Sequence, residues 1–296
     1  MTSRPAPYPV AVVGVGNMGG ALAARLLAQG WPVHVHDIDA HKHVALAAAG
    51  ASTHASPAQA AQSCEAVIVG VVDAAQCEQV LFGAQGLAGA MPPGRMVMLC
   101  PTIAPQDAES LAGRLAPHGI EALDAPMSGG PARARDGSMS LMLAGREAVV
   151  QRFEALLAAL SSRIFRISER VGDGARTKLV NNLAAGINLV GAAEVLAMAR
   201  AMGLDLGRTL DVIEQSSGQS WIGSDRMRRA IAGDWAPRAH MTLLEKDTRL
   251  ALQAAQEAGY AGPLGAAAAQ VFARASAAGL ADLDDAAVLR WLEMRQ

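Results

Sequence analysis

A glycine-rich turn near the start of the chain constrains the fold more than any other feature. An apolar strand, predicted over Val10–Val15, runs into Gly-x-Gly-x-x-Gly, and a helical pattern follows over Gly20–Ala28. In such a turn the first glycine makes the bend, the second lets a pyrophosphate approach the backbone, and the third lets helix and strand pack closely. The alternative is a tight turn without a ligand. The predicted dinucleotide-binding residues are Gly14, Gly16, Asn17, Met18 and Gly19.

The rest of the first half alternates strand-like and helical segments, which is typical of a doubly wound α/β sheet. The further strand-like runs are Val33–Val35, Ala66–Val72, Met96–Leu99, Ile120–Leu123, Ser140–Leu143 and Ile164–Ile167. Helices are predicted to end at Gly30, Gly50, Gly83 and Gly119. The fold class is therefore α/β, with an N-terminal doubly wound Rossmann domain over residues 1–170.

Strand signals stop after Gly172-Asp173-Gly174. Residues 175–202 contain no proline and place apolar residues three or four apart, which predicts one long helix. The remaining chain is predicted to form helices broken at Gly218, Gly233, Gly259–Pro263 and Gly279. An all-α C-terminal domain over residues 171–296, beginning with the long interdomain helix, follows from this pattern.

Asp37 ends the second predicted strand, eighteen residues after Gly19. A carboxylate there can accept hydrogen bonds from the adenosine ribose and would repel a 2′-phosphate, which favours NAD over NADP. The alternative is that Asp37 caps the next helix. The nearby histidines lack a set of metal-ligating partners, so we predict surface side chains and no metal site at His34, His36, His41 and His43.

Two later segments combine anion-binding and proton-transfer groups. In Asp124–Gly130, the Ser128 hydroxyl and the flexible Gly129 and Gly130 offer donors to an anionic substrate group, unless the segment is an ordinary surface loop. Lys178 and Asn182 lie four residues apart on the long predicted helix, and a desolvated lysine there can move a proton. The alternative is a solvated lysine. Taken alone, Lys246-Asp247 reads as a surface ion pair.

Composition narrows the environment and the partners. The chain has 296 residues, a hydrophobic fraction of 51%, a charged fraction of 18% and a net charge of −2, without a basic block. We therefore predict a globular protein with no nucleic-acid and no membrane partner, and no run approaches the roughly 18 apolar residues of a membrane span. Cys64, Cys77 and Cys100 lack metal spacing and indicate free thiols in a reducing, cytoplasmic compartment.

Together these motifs resemble the β-hydroxyacid dehydrogenase family nearly end to end. The matching segments are G-x-G-x-M-G at 14–19, D-A-P-x-S-G-G at 124–130, G-x-G-x-x-x-K-x-x-N-N at 172–182, and K-D at 246–247. The chain departs from the family at Val72-Asp73, where Leu-Pro is common, and at Leu99–Thr102, where Asp-x-Ser-Thr is common. Segments around 72–83 and 218–234 are similar to the L-threonate dehydrogenase branch of the family.

The resemblance implies an NAD-dependent oxidation of a small hydroxy acid, L-threonate-like or 3-hydroxyisobutyrate-like. Lys178 would be the acid/base, Ser128–Gly130 would hold the carboxylate, and Asn182 with Asn181 would orient the hydroxyl. Cofactor contacts are implied for Val72, Asp73, Thr102 and Lys246. We expect a homodimer or homotetramer. The alternatives are a tartronate semialdehyde reductase, an imine reductase and a catalytically silent NAD-binding relative.

Overall fold

The computed structural model describes residues 6–294, which divide between Lys178 and Leu179 into two compact units. The boundary falls inside the long helix, eight residues after the predicted division at 170/171. In the first unit the strands are β1 (Val10–Val13), β2 (Val33–His36), β3 (Ser52–Thr53), β4 (Ala66–Val69), β5 (Met96–Leu99), β6 (Glu121–Asp124), β7 (Met127–Ser128), β8 (Ser140–Ala144) and β9 (Arg163–Ser168).

Helices connect these strands. They are α1 (Asn17–Ala28), α2 (Val44–Ala48), α3 (Pro57–Ala61), α4 (Ala74–Phe82), α5 (Pro105–Leu115), α6 (Gly130–Asp136), α7 (Glu147–Arg152) and α8 (Glu154–Leu160). The helix α9 (Asp173–Ala201) begins in the first unit and continues into the second. The second unit adds α10 (Leu206–Glu214), α11 (Trp221–Ile231), α12 (Met241–Glu257), α13 (Pro263–Ala275) and α14 (Val288–Glu293).

The sheet of the first unit has the strand order β3-β2-β1-β4-β5-β6-β8-β7, with β9 also paired to β8. From β3 to β6 every pair is parallel, which confirms the predicted Rossmann unit. β8 is antiparallel to both β6 and β7, a reversal that the strand-like pattern did not predict. β1 lies between β2 and β4, so the strand order reverses there, and ligands bind at such a switch point in open α/β sheets.

Burial on both faces explains why the parallel strands are apolar runs rather than alternating patterns. β1, β4 and β5 are buried along their full length. One apolar cluster packs α1 and α8 against one face, and a second packs α3, α4 and α5 against the other. The second unit has its own core around Phe272, Leu189 and Met227. Each unit therefore has the apolar core that an independent domain requires.

The long helix differs from the prediction in one property. By length and composition alone α9 could cross a membrane, with a mean hydropathy of 1.4 over an 18-residue window, whereas the sequence reading found no such run. Of that window, 39% is buried within the protein. Core helices of globular proteins reach the same length and hydropathy.

Candidate active site

The glycine turn leaves open space at one position and close contacts at two. Gly14 has φ +87°, and a Cβ on it would lie 2.8 Å from Val71 Cγ1. A Cβ on Gly19 would lie 1.9 Å from the Gly14 carbonyl oxygen, so only glycine fits. A Cβ on Gly16 would meet nothing within 4 Å. Gly14 and Gly19 are thus required by packing within the fold, whereas the absence of a side chain at Gly16 leaves room beside the first turn of α1.

Asp37 joins the end of β2 to this turn. Its Oδ2 accepts a hydrogen bond from the Val15 backbone N–H at 2.8 Å, and its Oδ1 accepts from the Asp39 N–H at 3.0 Å. Lys42 Nζ lies 3.4 Å from the same Oδ1. The alternative reading of Asp37 as a helix cap is wrong, because Asp39 caps the next 3-10 helix through the His41 N–H. The carboxylate therefore faces the glycine turn.

The surface prediction for the histidines is wrong for His34 and His36. His36 is buried, and His34 Nδ1 lies 2.8 Å from His54 Nε2 with the two rings stacked. β2 is covered on both faces, so alternation along the strand does not place one set in solvent. Burial lowers the pKa of His34. His41 is exposed, and His43 Nε2 accepts the Asp37 N–H at 2.7 Å.

Three further predicted cofactor residues follow the carboxyl ends of β4 and β5. Asp73 is the N-cap of α4, with its Oδ1 accepting from the Gln76 N–H at 2.9 Å. The Val72 N–H donates to Gln76 Oε1, and the Val72 side chain is 48% exposed. Thr102 is half-buried after β5. All three lie at the edge of the sheet where the strand ends meet.

The Ser-Gly-Gly segment joins the sheet to a helix, because Gly129 is the N-cap of α6 and Gly130 is its first residue. Ser128 ends β7 and pairs with Ser140 of β8. Gly129 and Gly130 have φ of +127° and +76°, a region that L-residues with side chains rarely adopt. A Cβ on Gly129 would also lie 2.9 Å from Arg133 Cδ, whereas one on Gly130 would meet nothing within 4 Å. The open space beside Gly130 leaves its backbone approachable.

Lys178 lies in the first turns of α9, and its side chain is buried, so the solvated-lysine alternative is wrong. The start of this helix is held by Asp124, whose Oδ2 accepts from the N–H groups of Gly172 and Ala175, each at 2.9 Å. Asp124 is also the first residue of the segment that ends in Ser-Gly-Gly. Asp124 therefore lies four residues before Ser128 in the sequence, and its side chain contacts the start of the helix that carries Lys178.

Asn182 belongs to a polar cluster within the second unit. Its Nδ2 donates to Asp247 Oδ2 at 2.6 Å, and its Oδ1 accepts from Asn181 Nδ2 at 3.0 Å. Lys246 Nζ lies 2.9 Å from Asp247 Oδ1. Asp247 is buried and Lys246 is mostly so, which overturns the surface ion-pair reading. The cluster brings together three of the residues that the sequence singled out: Asn181, Asn182 and Lys246.

Comparison with known proteins decides the family. Residues 9–168 match the NAD binding domain of 6-phosphogluconate dehydrogenase, and residues 172–292 match the NAD-binding family of NADP-dependent 3-hydroxyisobutyrate dehydrogenase. An L-threonate dehydrogenase from Cupriavidus necator is 39% identical over 95% of both chains. A 3-hydroxyisobutyrate dehydrogenase from Pseudomonas aeruginosa is 34% identical over 89% of this chain and 90% of its own.

The chain belongs to the β-hydroxyacid dehydrogenase family. A crystal structure described as 3-hydroxyisobutyrate dehydrogenase from Salmonella typhimurium superposes with a TM-score of 0.91 at 35% identity, over 96% of this chain and 99% of that one. The protein is therefore a dehydrogenase of hydroxy acids that uses a nicotinamide dinucleotide, and its fold is the one that the motifs predicted.

Asp247, a member of the polar cluster around Asn182, was not among the predicted site residues. Asp247 links Asn182 to Lys246, yet only its neighbour was predicted to contact the cofactor. The local sequence gives no clear signal, because residues 245–249 are all polar or charged. A buried charge is costly when isolated, so the burial of Asp247 requires partners. Within residues 6–294 no group of three or more His, Cys, Asp or Glu side chains is arranged to hold a metal ion.

Asp124 gives the dehydrogenase a testable pH dependence. Burial raises the pKa of this carboxyl to about 6, although the hydrogen bonds from Ala175 and Gly172 lower it in part. The folded state therefore binds the proton more tightly than the unfolded chain, and this contribution to stability is lost as the pH rises through about 6. Relative to Asp124→Asn, the wild-type protein should gain about 1 kcal/mol of unfolding free energy between about pH 7 and pH 5.

Urea unfolding of the two proteins at both pH values measures this difference, because the other titrating groups are shared and cancel. If the difference in unfolding free energy between the two proteins were the same at both pH values, or less favourable to the wild-type protein at the lower pH, the raised pKa of Asp124 would be contradicted.

Proposed function

We propose that this dehydrogenase oxidises a small hydroxy acid of the L-threonate type reversibly with NAD, and that Lys178 is its acid/base. The observation that carries this proposal is the burial of Lys178 on a helix whose start is hydrogen-bonded to Asp124. A buried amine at a fixed position can exchange a proton with a bound substrate instead of with solvent. A tartronate semialdehyde reductase reaction is the second candidate.

The proton path follows from this placement. As the hydroxyl carbon loses hydride, Lys178 receives the hydroxyl proton, and in the reverse direction it returns the proton to the carbonyl oxygen. Asn182, with Asn181, orients the substrate oxygen, and Asp247 fixes the Asn182 amide group by accepting its N–H at 2.6 Å. Because the amide then has one orientation, its carbonyl and amino groups are not interchangeable at the substrate.

The substrate carboxylate is assigned to Ser128, Gly129 and Gly130. Ser128 offers a hydroxyl donor, and the two glycines offer backbone N–H groups in a turn of positive φ. Successive backbone donors of this kind favour an anion. Anchoring the carboxylate fixes the distance between the reacting carbon and the hydride acceptor, which is where much of the rate enhancement of such an enzyme arises.

The residues present fit a dinucleotide. Gly16 leaves space at the start of α1, and the free N–H groups of Asn17 and Met18 suit a pyrophosphate. When bound, the nicotinamide supplies the hydride acceptor. Val72, Asp73 and Thr102 are proposed to line the nicotinamide side, and Lys246 is proposed as a further cofactor contact.

Asp37 supports NAD as the preferred form, because its carboxylate would repel a 2′-phosphate. Asp37→Asn keeps an oxygen acceptor for the Val15 N–H and removes the charge. We expect the ratio of kcat/KM with NAD to that with NADP to fall by about tenfold. Asp39→Asn, two residues away at the exposed 3-10 helix cap, is the matched control and should leave the ratio unchanged. An unchanged ratio in Asp37→Asn would remove the basis for the NAD preference.

A homodimer or homotetramer in the cytoplasm completes the proposal. Met198 on α9 and Met202, just after the end of this helix, are more than half exposed, which suits subunit packing. Cys64, Cys77 and Cys100 are free and buried, which is consistent with a reducing compartment. Light scattering of the purified protein tests the first statement, and a monomer at assay concentration would contradict it.

A substrate screen tests the proposed activity. Purified protein is incubated with NAD and, in separate assays, with L-threonate, 3-hydroxyisobutyrate, glycerate and the corresponding amides. We expect NADH with L-threonate in preference to the other acids and none with the amides, which lack the carboxylate. Preference for tartronate semialdehyde in the reverse assay would favour the second candidate. Reduction of a cyclic imine by NADH or NADPH without turnover of any hydroxy acid would indicate the imine reductase alternative, and no turnover in any assay would indicate the silent alternative.

A further inference from the structure

We infer that Asp124 is a positioning residue for Lys178, because its carboxylate fixes the start of α9 against the strand that leads into the Ser128 turn. The inference rests on the proposed role of Lys178. Asp124 is the last residue of β6 and is 2% exposed. Its Oδ2 accepts two backbone N–H groups at the beginning of the helix, from Gly172 and Ala175.

The two hydrogen bonds act where the helix would otherwise be unconstrained. The first N–H groups of an α-helix have no acceptor within the helix, and a carboxylate at that end also interacts favourably with the helix dipole. Ala175 lies three residues before Lys178, less than one turn away. A movement of the helix start therefore moves the lysine by a similar amount, whereas residues further along α9 are held by other contacts.

Close approach of the two elements requires glycine at one position. A Cβ on Gly174 would lie 2.9 Å from both Asp124 Cγ and Asp124 Oδ2, and 3.0 Å from the Asp124 backbone oxygen. Contacts this short force the helix away from the strand. Gly174 is therefore explained by its distance from Asp124 and not by backbone conformation, since its φ is not in the left-handed region.

The same residue begins the substrate turn. β6 ends at Asp124, and Ser128 follows four residues later, paired to β8. The Ala125 N–H donates to the Leu99 oxygen at 2.8 Å, which holds the backbone of this segment to β5. Asp124 thus has its backbone at the end of the strand that precedes the proposed carboxylate-binding residues, and its side chain accepts hydrogen bonds at the start of the helix that carries the proposed proton acceptor. In this way Asp124 fixes the position of the helix relative to the strand without itself contacting the substrate.

The test compares two substitutions of the hydrogen-bond acceptor with one substitution that displaces the helix and one control. Asp124→Leu removes the acceptor, whereas Asp124→Asn retains an oxygen of similar position. Gly174→Ala retains the Asp124 carboxylate and the helix N–H groups but pushes them apart. This variant tests the inference if Asp124→Leu does not fold. Ser56→Ala is the control, because Ser56 is a buried helix cap in the same unit, with its Oγ accepting from the Gln59 N–H at 3.2 Å.

Asp124→Leu and Gly174→Ala are each expected to lower kcat by about 10- to 100-fold, with the Kd for NAD changed by less than about threefold. Amide hydrogen exchange should become faster over residues 173–178 in both variants. Asp124→Asn should restore kcat to within about threefold of the wild-type value. In Ser56→Ala, faster exchange should be confined to the region of α3, and kcat should not change.

Several results would overturn the inference. These are a wild-type kcat in Asp124→Leu, an equal loss in Asp124→Asn, or a loss of NAD affinity that accounts for the whole defect. If the wild-type protein turns over no hydroxy acid, the proposed function fails. The positioning role of Asp124 is then tested by hydrogen exchange and NAD affinity alone. Unchanged exchange over residues 173–178 in both Asp124→Leu and Gly174→Ala would reject this role.

Discussion

Lys178→Ala is expected to lower kcat by about 10²- to 10⁴-fold while NAD binding persists, because the variant loses the group that receives the hydroxyl proton and keeps the nucleotide site. The loss should appear in kcat and in kcat/KM alike, since the interaction is made in the transition state. Steady-state kinetics with L-threonate and fluorescence titration with NADH measure the two properties separately.

Two further variants separate chemistry from packing. Lys178→Met keeps most of the side-chain volume in the buried position and lacks the amine, so it should lose as much activity as the alanine variant. Val180→Ala lies on the same helix, where the side chain is 71% exposed, and should keep full activity. Turnover near the wild-type rate in Lys178→Met would show that the amine is not the acid/base.

The glycine turn gives the second large effect, and it separates two roles within one motif. Gly19→Ala would place a Cβ 1.9 Å from the Gly14 carbonyl oxygen, so α1 must move away from β1. We expect the free energy of unfolding to fall by about 3 kcal/mol or more, measured by urea unfolding without ligand.

Gly16→Ala is its matched partner. Gly16 has φ −65° and open space around its Cβ position, so the unfolding free energy should change by less than about 1 kcal/mol. The added methyl group would instead occupy the space assigned to the pyrophosphate, and the Kd for NAD should rise by at least about tenfold. An unchanged NAD affinity in Gly16→Ala would contradict the placement of the cofactor.

The strands were predictable where burial dominates. Met96–Leu99 was predicted with the observed bounds, and the other parallel strands differ by one to three residues at their ends, because a strand covered on both faces is a continuous apolar run. Ser52–Thr53 and Met127–Ser128 were not predicted. Both are two residues long and lack an apolar run, and their pairing depends on neighbours distant in sequence.

Tertiary contacts explain what the local patterns missed at the site. The long helix begins at Asp173 and not at 175, where Asp124, about fifty residues earlier in the chain, supplies the acceptor for its free N–H groups. The local sequence predicts a surface charge at Asp247 because residues 245–249 are all polar or charged. Its burial arises where α12 packs in the second unit and brings Asn182 within 2.6 Å.

NADH formation by the wild-type protein and by Lys178→Ala, measured side by side with L-threonate and its amide, tests the central claim most directly. The wild-type protein should produce NADH from the acid and not from the amide. Lys178→Ala should bind NAD with wild-type affinity and produce NADH at least about 10²-fold more slowly. Equal rates in the two proteins, or equal turnover of acid and amide, would contradict the account.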